Sequence, residues 1–178
     1  MPKVFVLTGM PGAGKEEFVK IALNDGYSVI RMGDVVRMEA ERRNVTMDDR
    51  GVGGFASSER QAHGPGIWAE RCLPLIGSGS VVIDGSRSTD EIEVFRSKLG
   101  KDVKVVAIHT SPERRFARLR NRGRYDAPHT WQEFEERDRR ELGWGLGSLI
   151  ALADVMIVNE GALEELHAQA KQELGRPW

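Results

Sequence analysis

The 178-residue chain has a single cysteine, Cys72. One thiol excludes an intramolecular disulfide and any cysteine-rich metal site, and it fits a reducing cytoplasm. No stretch approaches the ~20 consecutive apolar residues that a membrane-spanning helix needs. The N-terminus runs straight into an apolar strand, so no signal peptide is expected. An excess of charge of one sign is also missing. With 26 basic and 27 acidic residues the net charge is −1, which gives no overall attraction to nucleic acid or to an anionic membrane. Internal repeats and low-complexity tracts are absent. What is present, 40% hydrophobic and 30% charged residues, is ordinary for a globular chain long enough to bury a substantial core.

The most informative stretch is Gly9-Met10-Pro11-Gly12-Ala13-Gly14-Lys15. It follows an apolar run at residues 4–8 and precedes a helically spaced segment at 16–24. Strand, glycine-rich turn and helix are the context of a phosphate-binding loop. Glycines let successive backbone N–H groups converge on a phosphate, and the helix N-terminus adds partial positive charge. Lys15 then stands where its ammonium reaches the outer phosphates. One residue is lacking. The G-x-x-x-x-G-K pattern continues with Ser or Thr, whose hydroxyl holds Mg²⁺. Here Glu16 and Glu17 follow instead.

Apolar runs at residues 4–8, 27–32, 80–84, 103–109 and 153–158 read as five strands, with helical spacing between them. Alternation of this kind predicts a parallel sheet with ligands at the carboxyl ends of its strands. Residues 44–58 break the pattern. They are polar and glycine-rich, and read as a mobile segment able to close over a ligand, with a helix resuming near residue 57. Residues 67–76 read as helix with Trp68, Cys72 and Leu75 inward. Ser111 and Thr130 read as helix caps, and residues 143–147 as a turn or second loop.

Three constellations carry chemistry. Asp84 ends the third strand, where a carboxylate can hold Mg²⁺ directly or through water. Asp34 and Arg37 follow the second strand and Arg87 follows the third, so both guanidiniums emerge on the edge that carries the phosphate loop. Two such forks make a site for a second phosphate group. The densest group is Arg114, Arg115, Arg118, Arg120, Arg122 and Arg124, with no acid from 114 to 124, followed by Arg137, Arg139 and Arg140. Like charges on one helix repel by a few tenths of a kcal/mol per close pair, about what one anionic partner offsets. Arg115, Arg120 and Arg139 read as a solvated face paired to nearby acids. Arg118, Arg122, Arg124 and Arg137 read as stabilisers of a transferring phosphoryl group.

These motifs resemble the nucleoside monophosphate kinase group of phosphate-loop proteins, adenylate kinase and dephospho-CoA kinase in particular. The chain is most similar to a small archaeal family described as adenylate-kinase-like or dephospho-CoA-kinase-like. The stretch from Gly9 to Lys15, Gly33-Asp34 through Arg37, and Asp84-Gly85 through Arg87 carry the likeness. So do Arg118-Leu119 to Arg122-Gly123, Arg124-Tyr125-Asp126 with Arg137, and Ala153-Asp154 through Asn159-Glu160-Gly161. Lys15-Glu16-Glu17 departs from the adenylate kinase Lys-Gly-Thr, and Ala127 stands where a second lid aspartate is usual.

The resemblance implies a three-layer α/β/α P-loop NTPase fold with a five-stranded parallel sheet, a short lid and a mobile acceptor-side helical segment. Residues 1–178 would form a single P-loop kinase domain, with an acceptor-side insertion at about 34–77 and a lid at about 122–137. Gly9, Met10, Pro11, Gly12, Ala13, Gly14, Lys15, Glu16 and Asn159 are then expected to bind the nucleotide. Asp34, Arg37 and Arg87 would bind the acceptor, Asp84 would hold Mg²⁺ through water, and Lys15, Arg122, Arg124 and Arg137 would act on the transferring group. The implied cofactors are ATP and Mg²⁺, and the partners ATP and a small acceptor, with neither membrane nor nucleic acid and with oligomeric state open. The expected activity is ATP-dependent phosphoryl transfer to a small phosphorylated or nucleotide-like molecule. A nucleotide-binding regulator or assembly factor with little transfer activity is the alternative that Glu16 and Glu17 motivate.

Overall fold

The computed structural model describes residues 2–100, 102–123 and 127–177, with the side chain of residue 49 left aside. Five strands, β1 (Val4–Thr8), β2 (Ser28–Arg31), β3 (Val81–Asp84), β4 (Val103–His109) and β5 (Val155–Val158), form one sheet in the order β2-β3-β1-β4-β5. Every pairing is parallel. Central β1 is buried throughout, and its side chains alternate between two cores. Val4 and Val6 join Trp68, Val81, Ile83, Ile92 and Phe95 on one face. Phe5 and Leu7 join Phe18, Val19, Ile108, Leu166 and Leu174 on the other. The helix after β1, α1 (Lys15–Asn24), packs on the second face with α9 (Leu163–Gly175). On the first face lie α2 (Met32–Arg42), α4 (Ile67–Cys72) and α5 (Thr89–Leu99), the last following β3. The chain thus leaves β1 and β3, which are neighbours, toward opposite faces. A crevice opens between their carboxyl ends, where open parallel sheets bind ligands.

The expectation of an irregular segment at 44–58 is corrected. Residues 49–63 form helix α3 (Asp49–His63), capped by the Asp48 carboxylate, which accepts from Gly51 N at 2.6 Å. The glycines that suggested a loop serve close approach within the helix. A Cβ at Gly51 would lie 2.1 Å from the Thr46 carbonyl oxygen, and one at Gly53 would lie 3.2 Å from Arg140 Nε. Residues 67–76 split into α4 and a short 3-10 turn (Leu73–Leu75), leaving Leu75 exposed while Trp68 and Cys72 are buried. Burial pushes the Cys72 thiol up to about 12, so it behaves as a packing group. The arginine-rich segment forms α6 (Pro112–Asn121), and α7 (Trp131–Gly143) follows, with Thr130 Oγ capping Glu133 N. Ser111 does not cap by its side chain. Its N–H and hydroxyl instead donate to the Glu160 carboxylate after β5. Residues 143–147, expected as a turn, contain only a brief one. Gly145 adopts φ 101 and a further helix, α8 (Leu146–Ala151), begins at once. No helix among the described residues is long and apolar enough to cross a membrane.

Candidate active site

The loop between β1 and α1 is held from behind by its carbonyl oxygens. Arg115 Nη1 donates to Pro11 O, while Thr110 Oγ1 and Asn159 Nδ2 donate to Ala13 O. Arg118 adds contacts to Ala13 O, Thr110 Oγ1 and Asn159 O. The Pro11 and Ala13 carbonyls are thus engaged at the rear, while the Ala13 N–H is taken by Met10 O at 3.1 Å, which leaves the remaining loop N–H groups for an anion. No side chain caps α1, so its N-terminal N–H groups also stay available to an anion. Glycine is required at two of these positions. A Cβ on Gly9 (φ 143) would sit 2.3 Å from Ile108 O, and one on Gly14 (φ 109) would sit 2.4 Å from Asn159 Nδ2.

Lys15 folds over this loop, and its Nζ donates to Gly9 O at 2.7 Å and Met10 O at 3.3 Å. Burial lowers its pKa to about 8, against the opposing pull of Asp84. Phosphate oxygens arriving beside the amine restore the charged form. Nucleotide binding at about pH 8.5 is therefore expected to add most of a proton to Lys15. Binding enthalpy measured at that pH by calorimetry in buffers of different ionisation heat checks this. It should vary with buffer in the wild type, and vary much less in Lys15→Ala.

A cleft of about 600 Å³ opens over the loop. Of the residues singled out in the sequence, it brings together Gly9, Pro11, Gly12, Gly14, Lys15, Glu16, Asp34, Arg37, Asp84, Arg87, Arg122 and Arg137. Met10, Ala13 and Asn159 are not in its lining. Ala13 and Asn159 are buried, and Asn159 positions the loop from behind through Ala13. Arg124 lies outside the described residues, as do Tyr125 and Asp126 of the expected lid pattern. Arg37 and Asp34 are ion-paired to each other on the exposed face of α2. Arg118, grouped with the transferring-charge arginines in the sequence, turns toward the rear of the loop.

Glu141, Glu91 and Arg60 escaped sequence reading because their partners are distant in the chain, whereas Trp144 stood out already by its flanking glycines. Glu141 on α7 grips Arg87, Oε2 to Nε at 2.6 Å, and Arg87 Nη1 donates to Gly85 O. Burial alone would raise the Glu141 carboxyl, but the Arg87 guanidinium outweighs it and holds the group below its ordinary value. Glu91, fully buried, accepts from Ser86 Oγ, from Arg87 N and from Arg60 Nη2. Trp144 lies under two guanidiniums, Arg60 at 4.7 Å and Arg87 at 5.5 Å, and its Nε1 donates to Ser57 Oγ. These groups wall a recess of about 90 Å³ that adjoins the cleft. Its lining shares Gly33, Arg37, Arg87, Arg137 and Glu141 with the cleft and adds Val36, Val52, Ala56, Arg60, Arg140 and Trp144. The two glutamates after Lys15 part company. Glu17 turns away to Lys20 and His167, whereas Glu16 stays in the cleft wall, paired with Arg31 at 2.8 Å.

The donor set fits a hard divalent cation. Asp84 Oδ1 is buried with no hydrogen-bond partner, and burial raises its carboxyl against the pull of Lys15 and Arg87. Such an atom is satisfied by a cation in the cleft. Among the described residues no three carboxylate, histidine or cysteine side chains cluster to hold a metal unaided. Phosphate oxygens and water would complete the shell, as is usual for Mg²⁺.

Comparison with known proteins bears on the family and the fold. The AAA domain family matches residues 8–135. A UPF0200 protein of Hyperthermus butylicus is 48% identical over 176 residues, covering 97% of this chain and 94% of that protein. A UPF0200 protein of Methanopyrus kandleri is 54% identical over 155 residues, covering 86% and 79%. Among solved structures, shikimate kinase from Bacteroides thetaiotaomicron superposes with a TM-score of 0.67 at 18% identity, covering 98% of this chain and 99% of that one. The Thermus thermophilus protein TT1252 gives 0.65 at 17% identity, covering 97% and 96%. Identities this low speak to the fold, which is that of P-loop kinases. By its match over residues 8–135 and its likeness over most of its length to these relatives, the chain belongs to the AAA domain family and to the UPF0200 proteins.

Proposed function

We propose that the protein transfers the γ-phosphoryl group of ATP to a small acceptor, in the manner of the adenylate and dephospho-CoA kinases its motifs resemble. One observation carries the reading. A single cleft joins a phosphate loop on one side to Arg37, Arg87, Arg122 and Arg137 on the other, and continues into a recess walled by Trp144. A protein that merely bound a nucleotide would need the first half alone.

In this reading the loop N–H groups and Lys15 hold the β- and γ-phosphates. Arg37 and Arg87 hold the acceptor, with Arg87 aimed by Glu141 and Glu91. Arg122 and Arg137, together with Arg124 from a short lid at about 122–137, meet the charge that spreads over the transferring group. Asp84 and Glu16 are the residues that would hold Mg²⁺, which supplies charge neutralisation between the phosphates. The P–O bond to ADP breaks as the acceptor oxygen bonds to phosphorus, and positioning with electrostatics suffices. A phosphate acceptor has no proton to lose. A hydroxyl acceptor would pass its proton toward Asp34, which is ion-paired with Arg37. Glu16 at the hydroxyl position favours the second reading, a nucleotide-dependent regulator.

The test is transfer from labelled ATP to nucleoside monophosphates, dephospho-CoA, small phosphorylated metabolites and small alcohols. Transfer to at least one is expected, and ATP binding without transfer to any would overturn the proposal. For the responsive acceptor, Trp144→Leu should raise KM about tenfold by releasing Arg87 and opening the recess, with KM for ATP unchanged. A change confined to the ATP KM would place Trp144 on the wrong substrate.

A further inference from the structure

Glu16 occupies the position from which a phosphate loop ordinarily offers a hydroxyl to the metal. It opens α1, lines the cleft beside Lys15 and Asp84, and is half-buried there. It is close enough to act on the charge of Asp84. Arg31, which neutralises it at 2.8 Å, ends β2 directly opposite Asp84 in the sheet register. Asp84 in turn presents a buried oxygen with no protein donor. Two carboxylates therefore flank the place where the ATP phosphates would lie, Glu16 neutralised by Arg31 and Asp84 drawn on by Lys15 and Arg87.

We infer that Glu16 replaces the missing hydroxyl as a direct carboxylate ligand, and with Asp84 forms a divalent-cation site that makes tight ATP binding conditional on the metal. The inference rests on the phosphate-binding reading of the cleft. Without metal, a tetra-anionic ATP faces Glu16 and Asp84 as like charges in a partly desolvated site, where repulsion is strong. With metal, the same carboxylates become its ligands. A hydroxyl is neutral and repels nothing, so a loop of the usual kind lacks this condition. Arg31 is the resident counter-charge, and it weakens the repulsion.

ATP binding measured by calorimetry, with no acceptor present, in excess Mg²⁺ and again in EDTA, tests this apart from any transfer. The wild-type chain should bind about fiftyfold tighter with Mg²⁺ than without, and Glu16→Thr should narrow that gap to about fivefold, chiefly because metal-free ATP now binds better. Arg31→Gln should move it the other way and widen the gap, because Glu16 loses its neutralising partner. The opposite signs are the discriminating result, since a purely structural Glu16–Arg31 bridge would be lost equally in both variants. Equal ATP affinity with and without Mg²⁺ in the wild type would overturn the inference. So would Glu16→Thr and Arg31→Gln shifting the gap in one direction. Failure of ATP to bind under either condition would overturn the phosphate-cleft reading as well. The expected gap without transfer to any acceptor would uphold the metal site and end the kinase proposal.

Discussion

Replacing Lys15 by alanine is expected to lower phosphoryl transfer by about 10²–10³-fold, the range seen when one donor to a developing oxyanion is removed. Lys15 is the cation seated on the loop itself, bonded to Gly9 O and Met10 O and enclosed enough to be partly discharged near pH 8. Arg115 and Arg118 reach the loop from behind. Lys15→Arg should recover little, because a planar guanidinium does not reproduce a compact ammonium reaching between phosphates. Melting temperature should change little, since the ammonium is already poorly solvated and its loss exposes no apolar core. Rates from labelled ATP and thermal melts of both variants check this. Transfer by Lys15→Ala at wild-type speed would remove the loop from the mechanism.

The largest effect on stability is expected from Arg115→Ala. This guanidinium is 3% exposed. It forks onto Asp138 at 2.9 and 2.5 Å, donates to Thr110 O and Pro11 O at 3.2 Å each, and lies 4.8 Å from the centre of the Phe134 ring. Truncation leaves the Asp138 carboxylate without its partner and two carbonyls without donors. Removing one member of a buried pair costs about 3–5 kcal/mol. For a chain of this size that is a fall in melting temperature of roughly 10 °C. Nucleotide affinity should fall as well, because Pro11 O is one of the points that holds the loop. Arg115→Lys should lie between, keeping the charge and losing the fork. A melting temperature within about 2 °C of wild type in Arg115→Ala would show that the buried network contributes little.

Arg115 also shows where sequence reading stops. In the sequence it is one of six arginines between 114 and 124 and reads as part of a solvated face paired to acids such as Asp138. The acid is the right one, but the pair lies in the interior and reaches a loop 104 residues away. Arg118 read as a stabiliser of transferring charge and instead joins Thr110 and Asn159 behind the loop. Residues 44–58 read as loop because glycine and polar side chains dominate them. Yet Asp48 caps a helix there, Gly51 admits the Thr46 carbonyl at a distance that no Cβ allows, and Gly53 leaves room for the Arg140 side chain. Helix propensity is a weak prior, and close packing of this kind overrides it.

By itself the sequence determined the strands, the helices that follow them and the chemistry of the loop. These depend on residues within a few positions of one another: apolar runs, glycines, a lysine, a capping threonine. The carboxyl ends of parallel strands share one edge whatever the details, so Lys15, Asp84, Arg37 and Arg87 could be placed together before any coordinate was known. The tertiary structure alone decided which arginines enter the cleft and which stand behind it, and that Glu141 aims Arg87 from 54 residues away. It alone separated Glu16, at the cleft with Arg31, from Glu17, held by His167 150 residues on. Charge pairing over such separations follows from how layers pack on a sheet, and no local pattern in the chain encodes it.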